Sequence, residues 1–250
     1  MNWDREIKQA AELIAGARHM IALTGAGHST PSGIPDFRSP HSGLWEKANP
    51  LLVASIWSFR LKPKSFYSWI RPMAETLLNA SPNPAHYALA SLEQAGYLHA
   101  IITQNIDDLH QKAGSQRVLE LHGHLREATC IRCYKVVPVD PLLGEFIVDG
   151  RVPHCDCGGV LKPNVILFGE QLPIQIFNEA VQEARRSDLI LVAGSSLEVT
   201  PAADIPFLAV ESGAKAIIVN YEPTSLDRRA DVVIHADVAE ILPRIVEALS

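Results

Sequence analysis

The last third of the sequence alternates between short apolar runs and amphipathic segments, and this alternation limits the fold more than any other feature. Alternating strands and helices build a parallel sheet, because each helix carries the chain back to start the next strand. We therefore predict an α/β fold with helices on both faces of the sheet. The predicted strands are 188–194, 215–220 and 232–235, and the predicted helices are 173–186, 201–212 and 237–249.

The first half of the chain predicts further strands of the same kind. Residues 3–17 place apolar side chains at helical spacing and end near Gly16, which indicates an amphipathic helix. Short apolar runs then predict buried strands at 20–25, 98–103 and 117–121. The sheet should thus contain strands from both halves of the chain.

Three segments depart from the simple alternation. Residues 40–82 contain three of the four tryptophans and two helical patterns broken by prolines, which predicts a small helical module. We expect its aromatic side chains to form a core rather than a ligand cage. Residues 124–163 mix short apolar pairs with turn residues, and 164–170 return to strand character.

A loop rich in glycine and proline, GAGHSTPSGIPDFR at 25–38, follows the first predicted strand. Gly25 and Gly27 have no Cβ, so the backbone can turn tightly and bring its N–H groups against a phosphate. The full dinucleotide fingerprint has a third glycine where this chain has Thr30, and ordinary turns share this composition, so both interpretations stay open. The polar, charged and aromatic side chains of the loop are Ser29, Thr30, Asp36, Phe37 and Arg38.

Polar side chains also lie at the ends of four other predicted strands. Ligands of open α/β sheets bind at the carboxyl ends of the strands, where hydroxyl and amide groups suit ribose and phosphate oxygens. An imidazole with a pKa near 6.5 is also a candidate general base. Small polar residues equally form turns, and a single histidine is often structural. The residues concerned are Gln104, Asn105, Asp107, His122, Gly194, Ser195, Ser196 and Asn220.

Four cysteines form a Cys-x-x-Cys pair and, after 21 intervening residues, a Cys-x-Cys pair. Zinc takes four thiolates tetrahedrally, and paired ligands on two tight turns supply that geometry. Because no fifth ligand has a matched spacing, we predict a structural zinc site. Free buried thiols are the alternative, and His154 would replace a ligand if the short second pair strains its turn. The predicted ligands are Cys130, Cys133, Cys155 and Cys157.

Composition and charge narrow the cellular setting. The net charge of −6 gives no general attraction to nucleic acid or to an anionic membrane surface. The N-terminus lacks the basic start and apolar centre of a signal peptide, and no apolar run reaches the roughly 18 residues of a membrane span. Clustered cysteines also suit a reducing compartment. We therefore expect a cytoplasmic protein without nucleic-acid or membrane partners.

Taken in order, these motifs resemble those of the sirtuins, the NAD-dependent protein deacylases. The motifs are GAGHSTPSGIPDFR, TQNIDDLH, LHG, the four cysteines, FGE, and GSSLEV followed by VN, and the resemblance spans about 10–245. It implies that NAD and an acyl-lysine protein substrate enter a cleft from opposite sides. It also implies a Rossmann-like NAD-binding domain at 1–38, 83–122 and 164–250, with a helical module at 39–82 and a zinc-binding module at 123–163 forming a small domain.

The resemblance also implies a role for each matching residue. His122 would be the general base on the ribose hydroxyls, and Asn105 would position ribose or water. The substrate peptide would pair as an added strand with the backbone at 166–169, namely Ile166, Leu167, Phe168 and Gly169. The implied NAD contacts are Gly25, Ala26, Gly27, Thr30, Asp36, Phe37, Arg38, Gln104, Ile106, Asp107, Gly194, Ser195, Ser196, Asn220 and Val238.

The implied reaction transfers the acyl group from lysine to ADP-ribose. The acyl oxygen attacks the ribose as nicotinamide leaves, an alkylimidate forms, and the products are nicotinamide, free lysine and O-acetyl-ADP-ribose. Mono-ADP-ribosyl transfer to protein or NAD hydrolysis would use the same activated ribose. A binding module that senses NAD without turnover is a third interpretation.

Four positions bear on how far the resemblance extends. His28 stands where relatives usually have a small aliphatic residue, and it would either alter the pH dependence or face solvent. Relatives that remove acidic acyl groups have a Tyr and an Arg at the positions where this chain has Ile70 and Met73. Apolar residues there cannot pair with an acidic acyl group, so we expect a neutral acyl substrate, acetyl first. Arg71 lies one position off the expected helix face.

Overall fold

A six-stranded parallel sheet is the centre of the protein. The computed structural model describes residues 2–36 and 49–249, and every structural statement concerns these residues. The strands found there are β1 (Met20–Thr24), β2 (Leu98–Thr103), β3 (Val118–Glu120), β4 (Gly123–Cys130), β5 (Val136–Pro138), β6 (Leu161–Val165), β7 (Leu189–Ala193), β8 (Lys215–Val219) and β9 (Val232–Ile234).

Ten α-helices of four residues or more connect these strands within the described ranges. Pro63, Pro84 and Pro206 lie in the first turns of their helices, where the missing N–H leaves no hydrogen bond unmade. The helices are α1 (Asp4–Gly16), α2 (Pro50–Val53), α3 (Ile56–Leu61), α4 (Pro63–Asn79), α5 (Pro84–Gln94), α6 (Leu109–Lys112), α7 (Asp140–Asp149), α8 (Ile174–Arg186), α9 (Ile205–Glu211) and α10 (Val238–Glu247).

The strand order of the main sheet is β3-β2-β1-β7-β8-β9, and all neighbours are parallel. The chain therefore builds outward from β1 in one direction and from β7 in the other. The carboxyl ends of β1 and β7 meet at this reversal, which is where open α/β sheets bind ligands. The predicted α/β fold with a parallel sheet is confirmed.

Two hydrophobic clusters cover the two faces of this sheet. On β1, Met20 and Ala22 point into a cluster with α1, α5 and α10, whereas Ile21 and Leu23 point into a cluster with α8 and α9. All four side chains are fully buried. Because successive strand residues face opposite sides, a strand buried on both faces has to be apolar at every position.

A second, antiparallel sheet carries the cysteines. Its strand order is β5-β4-β6, and Gly123 of β4 pairs with Val165 of β6. The expectation that strand character extends over 164–170 is wrong beyond Val165, where β6 ends; of residues 166–170, all of them described, Phe168 alone forms a bridge, with Ser55. Residues 124–163, to which the sequence assigned no particular strand or helix, contain most of β4, with β5 and α7.

Three helices, α2, α3 and α4, lie in the part of the predicted helical module that the structure describes, whereas residues 40–48 of that prediction lie outside the described residues. Its core contains Phe59, Phe66 and Tyr67, with the rings of Phe59 and Phe66 5.2 Å apart. The Tyr67 hydroxyl donates to the Leu161 carbonyl at 2.5 Å, which joins α4 to β6. The module is thereby fixed against the cysteine-bearing sheet. None of the helices in the described ranges is both long and apolar enough to span a membrane.

Candidate functional site

A cavity of about 1440 Å³ opens at the carboxyl ends of β1, β2 and β7. Nineteen residues predicted from the sequence for catalysis, NAD or peptide contact line it, while Phe37 and Arg38 lie outside the described residues. The lining residues among the predicted set are Gly25, Ala26, Gly27, Thr30, Asp36, Gln104, Asn105, Ile106, Asp107, His122, Ile166, Leu167, Phe168, Gly169, Gly194, Ser195, Ser196, Asn220 and Val238.

The glycines of the first loop pack against the loop after β7. The Gly27 N–H donates to the Gly194 carbonyl at 2.9 Å. A Cβ on Gly25 or Gly27 would lie 2.9 or 3.0 Å from that same oxygen. Gly194 has φ +66°, and a Cβ there would lie 2.2 Å from the His28 nitrogen. The contact between the two loops therefore requires glycine at all three positions, in addition to any approach to a phosphate.

A buried hydrogen-bond network joins the first loop to the loop after β2. Ser29 Oγ donates to Asp107 Oδ2 at 2.6 Å and accepts from Asn105 Nδ2 at 3.0 Å. Asn105 Nδ2 also donates to the Gly25 carbonyl at 3.0 Å, so both of its N–H groups are used. Burial raises the pKa of the Asp107 carboxyl, an effect that the bond from Ser29 partly offsets. This leaves the Asn105 Oδ1 as the group available to a ligand.

His122 lies at the end of β3 with a defined tautomer. Its Nδ1 is 3.0 Å from the Gln104 carbonyl, which can only accept, so Nδ1 carries the proton and Nε2 the lone pair. No described residue bonds Nε2. Burial lowers the pKa of His122 below its usual value, although the Gln104 carbonyl acts in the opposite direction. The imidazole is therefore neutral at pH 7 and able to accept a proton.

The loop after β7 is tied to the same network. Gln104 Nε2 donates to Ser195 Oγ at 3.0 Å, and Ser195 is buried. Asn220 follows β8, and its Nδ2 donates to the Glu222 carbonyl at 2.7 Å. The Gln104–Ser195 bond thus joins the ends of β2 and β7, which are far apart in sequence, and the parallel topology brings these ends to one edge of the sheet.

The segment 166–169 forms one wall of the cavity. The Ile166 N–H donates to the His122 carbonyl at 2.8 Å, and Phe168 is bonded through its N–H to Ala54 and through its carbonyl to Ile56. The Leu167 N–H donates to Glu170 Oε2 at 2.8 Å. Among the described residues, the Gly169 N–H has no acceptor. Most of this backbone is therefore already paired with the protein itself.

Apolar side chains of α4 line the inner part of the cavity, which the sequence-based expectation of a pure core did not anticipate. Trp69, Ile70 and Met73 face it beside Ile106. Arg71 points elsewhere, since its guanidinium donates to the Ile147 carbonyl at 2.9 and 2.7 Å. Helical spacing alone could not separate these residues from core residues, because Phe66 belongs both to the core and to the cavity lining.

The four cysteines form a compact cluster that fits a zinc ion. Their sulfur atoms all lie within 4.8 Å of one another, with Cys130 and Cys157 Sγ 3.5 Å apart and Cys133 and Cys155 Sγ 3.7 Å apart. Tetrahedral thiolates at 2.3 Å from zinc would be about 3.8 Å apart. The Cys133 N–H lowers the pKa of the Cys130 thiol to about 6, which favours the thiolate.

Gly159 is part of the same site. A Cβ there would lie 2.6 Å from Cys130 Sγ and 2.7 Å from Arg132 Cβ. His154 is exposed and its Nδ1 is 2.7 Å from the Val152 carbonyl. His154 is not in the cysteine cluster, so the geometry of the described residues does not call for the histidine alternative.

His28 does not face solvent, which corrects one of the two alternatives considered for it. The side chain is fully buried on the far side of the first loop from the cavity lining. Its ring packs against His86 and His110.

Comparison with known proteins identifies the family. Residues 25–201 match the sequence model of the Sir2 family. The chain is 48% identical over 247 residues to the NAD-dependent protein deacylase 2 of Archaeoglobus fulgidus, covering 97% of this chain and 95% of that protein. It is also 48% identical over 242 residues to the NAD-dependent protein deacetylase of Sulfurisphaera tokodaii, covering 97% and 95%.

Solved structures agree with this assignment. A Sir2 enzyme solved in a study of mechanism and regulation superposes with a TM-score of 0.93 at 47% identity, covering 98% of both chains. A Sir2 protein bound to a myristoylated histone peptide gives 0.84 at 42% identity, covering 98% of this chain and 97% of the other. From its sequence, its parallel sheet and the cavity at the sheet reversal, this chain belongs to the Sir2 family.

Proposed function

We propose that the protein is an NAD-dependent protein-lysine deacylase, a transferase that moves the acyl group of lysine to ADP-ribose. One observation carries the proposal: His122 lines the cavity with an unprotonated Nε2 that no described residue engages. The names of the relatives in Archaeoglobus and Sulfurisphaera support it. The products are nicotinamide, free lysine and the O-acyl ester of ADP-ribose, and acetyl-lysine is the first substrate to expect.

The cavity offers separate groups for the parts of NAD. When bound, NAD supplies a ribose carbon that becomes electrophilic as nicotinamide departs. The backbone of the first loop would hold phosphate, and Ser196, Asn220 and Val238 would hold the adenosine half. The remaining lone pairs of Asp107 would accept from the nicotinamide amide, because each of its oxygens has only one protein donor. Closed, ordered placement of this kind is what lets a neutral acyl oxygen react.

His122 would then act as the general base. Its Nδ1–H remains on the Gln104 carbonyl, which fixes the ring and leaves Nε2 to take a proton from a ribose hydroxyl. Asn105 Oδ1 would orient that ribose or an attacking water, since both N–H groups of Asn105 hold the loops together. We propose that Gln104 supports both roles, with its carbonyl on His122 and its amide on Ser195.

The substrate peptide would add as a strand beside Gly169. The N–H groups of Gly169 and Gln171 have no backbone acceptor among the described residues, whereas those of Ile166 and Phe168 do. We therefore propose that main-chain pairing begins at Gly169, and that Ile166, Leu167 and Phe168 contribute side-chain contacts. Main-chain recognition of this kind tolerates many peptide sequences.

The inner wall of the cavity supports a neutral acyl substrate. Ile70 and Met73 present apolar surface there, and Arg71 is held by carbonyl groups of α7. The described residues that line the cavity include no lysine or arginine, so an acidic acyl group would lack a cationic partner among them, and burying a carboxylate without one is costly. Longer apolar chains would gain contact with Trp69 and Ile106.

Zinc has a structural part in this proposal. Four thiolates would complete its coordination and leave no position for substrate. The small antiparallel sheet buries little apolar surface of its own, with Ala128, Cys130, Cys155 and Leu161 as its buried cluster. We also propose the domain division at 39–82 and 123–163 given above, and a cytoplasmic location, where reduced thiols remain available to zinc.

The deciding experiment incubates the purified protein with an acetyl-lysine peptide, with and without NAD, and follows peptide and nucleotide products by mass spectrometry. Loss of acetyl that requires NAD, with an equal amount of O-acetyl-ADP-ribose, is the expected result. Nicotinamide release without deacetylation would instead indicate NAD hydrolysis or ADP-ribosyl transfer. If neither occurs with acetyl or longer acyl peptides, the protein is a sensor and the proposal is wrong.

Matched variants test the assigned base. His122→Ala should lower turnover by about 10²–10⁴-fold while NAD binding persists. His124→Ala is the control, because His124 is the second residue of β4, two positions after His122, and does not line the cavity. Equal loss of activity in both variants would argue for structural damage and against a catalytic role.

A further inference from the structure

Three buried histidines meet behind the first loop. His28 lies in the 3₁₀ turn after β1, His86 in the first turn of α5, and His110 in α6. All three are buried, with at most 1% of their surface exposed. Their ring centroids form a nearly equilateral triangle with sides of 4.6, 5.0 and 4.9 Å. No step of the proposed reaction uses them.

The ring nitrogens of this histidine cluster are mostly without partners in the described part of the chain. Neither nitrogen of His28 has a hydrogen-bond partner there, and the same holds for His86 Nε2 and His110 Nδ1. Buried polar atoms are paired in the great majority of cases, so four unpaired nitrogens within one cluster call for an explanation. A ligand that bonds to all three rings would provide it.

The cluster has the dimensions of a three-histidine metal site. One nitrogen from each ring lies within 4.8 Å of the nitrogens offered by the other two. For three imidazoles bound tetrahedrally at about 2.0–2.1 Å from zinc, the ring centroids lie about 5 Å apart and the nitrogens about 3.4 Å apart. The centroid triangle already matches, and small ring rotations would close the remaining gap between the nitrogens.

The protonation states also suit a metal. Burial lowers the pKa of each of the three imidazoles, so they are neutral and retain a lone pair at pH 7. His110 Nε2 is 2.9 Å from Thr24 Oγ1, whose hydroxyl donates to Thr103, so Nε2 donates and Nδ1 keeps the lone pair. A metal-bound histidine usually has such an acceptor behind it. His86 would have to give up the long 3.3 Å bond from the Asn83 N–H to Nδ1.

We propose that His28, His86 and His110 bind a divalent transition-metal ion, zinc in the first place, at a second site separate from the four cysteines. Neutral imidazole is a ligand that zinc, copper and nickel share. A water would complete the coordination. Asp107 lies near this cluster without touching it, because it accepts from Ser29, the residue after His28, and from the Leu109 N–H, the residue before His110.

The position of this site gives it a use. His28 stands between Gly27 and Ser29, which both line the cavity. The His28 carbonyl accepts from Asn83 Nδ2 at 2.9 Å, so the turn is already fixed at its backbone. A metal on the His28 ring would fix the turn a second time, from the side opposite the cavity, and would hold Ser29 in place against Asp107.

The test counts metal ions on the full-length protein. Wild type, His28→Ile and His99→Gln are each incubated with excess Zn²⁺, freed of unbound metal by gel filtration, and analysed by plasma mass spectrometry. Isoleucine removes the ligand and fills the buried space with an apolar side chain. His99 is a partly buried histidine outside the cluster. We expect two zinc ions per chain in wild type and His99→Gln, and one in His28→Ile.

Cobalt distinguishes the two sites in the same proteins. Co²⁺ on the cysteines gives intense sulfur-to-metal charge-transfer bands, whereas three nitrogen ligands give only the weaker ligand-field bands. The difference spectrum of wild type minus His28→Ile should contain the latter alone. A single zinc per wild-type chain would overturn the proposal whatever the folding of the variant. Two ions in His28→Ile would overturn it as well, by placing the second ion elsewhere. Neither outcome depends on deacylation.

Discussion

Two neighbouring glycines after the second cysteine pair give the sharpest prediction, because they are constrained in opposite ways. Gly159 has an ordinary φ, but a Cβ would lie 2.6 Å from Cys130 Sγ and 2.7 Å from Arg132 Cβ. Gly158 has φ +79°, but its Cβ would meet only the end of the Arg132 side chain at 3.9 Å. Gly159→Ala therefore tests the packing of the zinc site, and Gly158→Ala tests backbone strain alone.

The magnitudes follow from these distances. Normal contact between the new methyl group and sulfur needs roughly 1 Å more room, whereas zinc–ligand distances tolerate about 0.2 Å. Gly159→Ala should therefore weaken zinc binding and add an overpacking cost of about 1–3 kcal/mol. Gly158→Ala should cost about 1–2 kcal/mol, the penalty of a left-handed conformation for alanine, and leave zinc in place.

Zinc content and melting temperature measure both effects. At about 2–4 °C per kcal/mol for a chain of this size, Gly158→Ala should melt roughly 2–8 °C below wild type. Gly159→Ala should melt at least as low and lose its zinc during dialysis against a chelator, which Gly158→Ala survives. Equal zinc retention in the two variants would refute the close contact of Gly159 with the cysteine cluster. Zinc loss from Gly158→Ala alone would show that Gly158, not Gly159, packs against the cluster.

Three further predictions concern the cavity. His122→Ala should lower kcat/KM for deacylation by about 10²–10⁴-fold, the usual contribution of a general base, with His124→Ala near wild type in the same assay. On its acid side, the pH profile of kcat/KM should fall with a midpoint below pH 6.5, because burial lowers the pKa of His122 and a protonated His122 cannot act as the base. A midpoint above pH 6.5 would contradict the proposed burial of this imidazole. Met73→Arg should reduce turnover of long apolar acyl peptides relative to acetyl and improve that of succinyl peptides; an unchanged preference would show that this part of the wall does not contact the acyl group.

The parallel sheet could be predicted because its central strands are buried on both faces. Met20–Thr24 and Leu189–Ala193 are buried at every position, so they read as continuous apolar runs of strand length. The cysteine-bearing sheet lacks that signal. Its strand Gly123–Cys130 is exposed at its centre, and Leu161–Val165 contains Pro163. The strand predicted at 164–170 was too long because residues 166–168 are apolar. These residues line the cavity instead of pairing in a sheet.

The sequence predicted the site residues that the sheet topology brings together. It did not predict the side-chain contacts between residues that lie far apart in sequence. Polar groups at the ends of parallel strands must meet, so His122, Asn105 and Ser195 could be placed together. The role of Ser29 was not visible, because its partner Asp107 lies 78 positions away. The same is true of His28, since nothing in the sequence near it indicates His86 or His110 as neighbours.

The contact of Gly25 and Gly27 with Gly194 also restricts how this chain can change over generations. A methyl group at any one of the three would collide with backbone rather than with a movable side chain, so a second substitution cannot relieve the first. The three glycines of the two loops must therefore be inherited together, although 166 residues of sequence separate Gly27 from Gly194. In a library of random variants, these three positions should tolerate no replacement, while Gly16, where a Cβ would have no atom within 4 Å, should accept several.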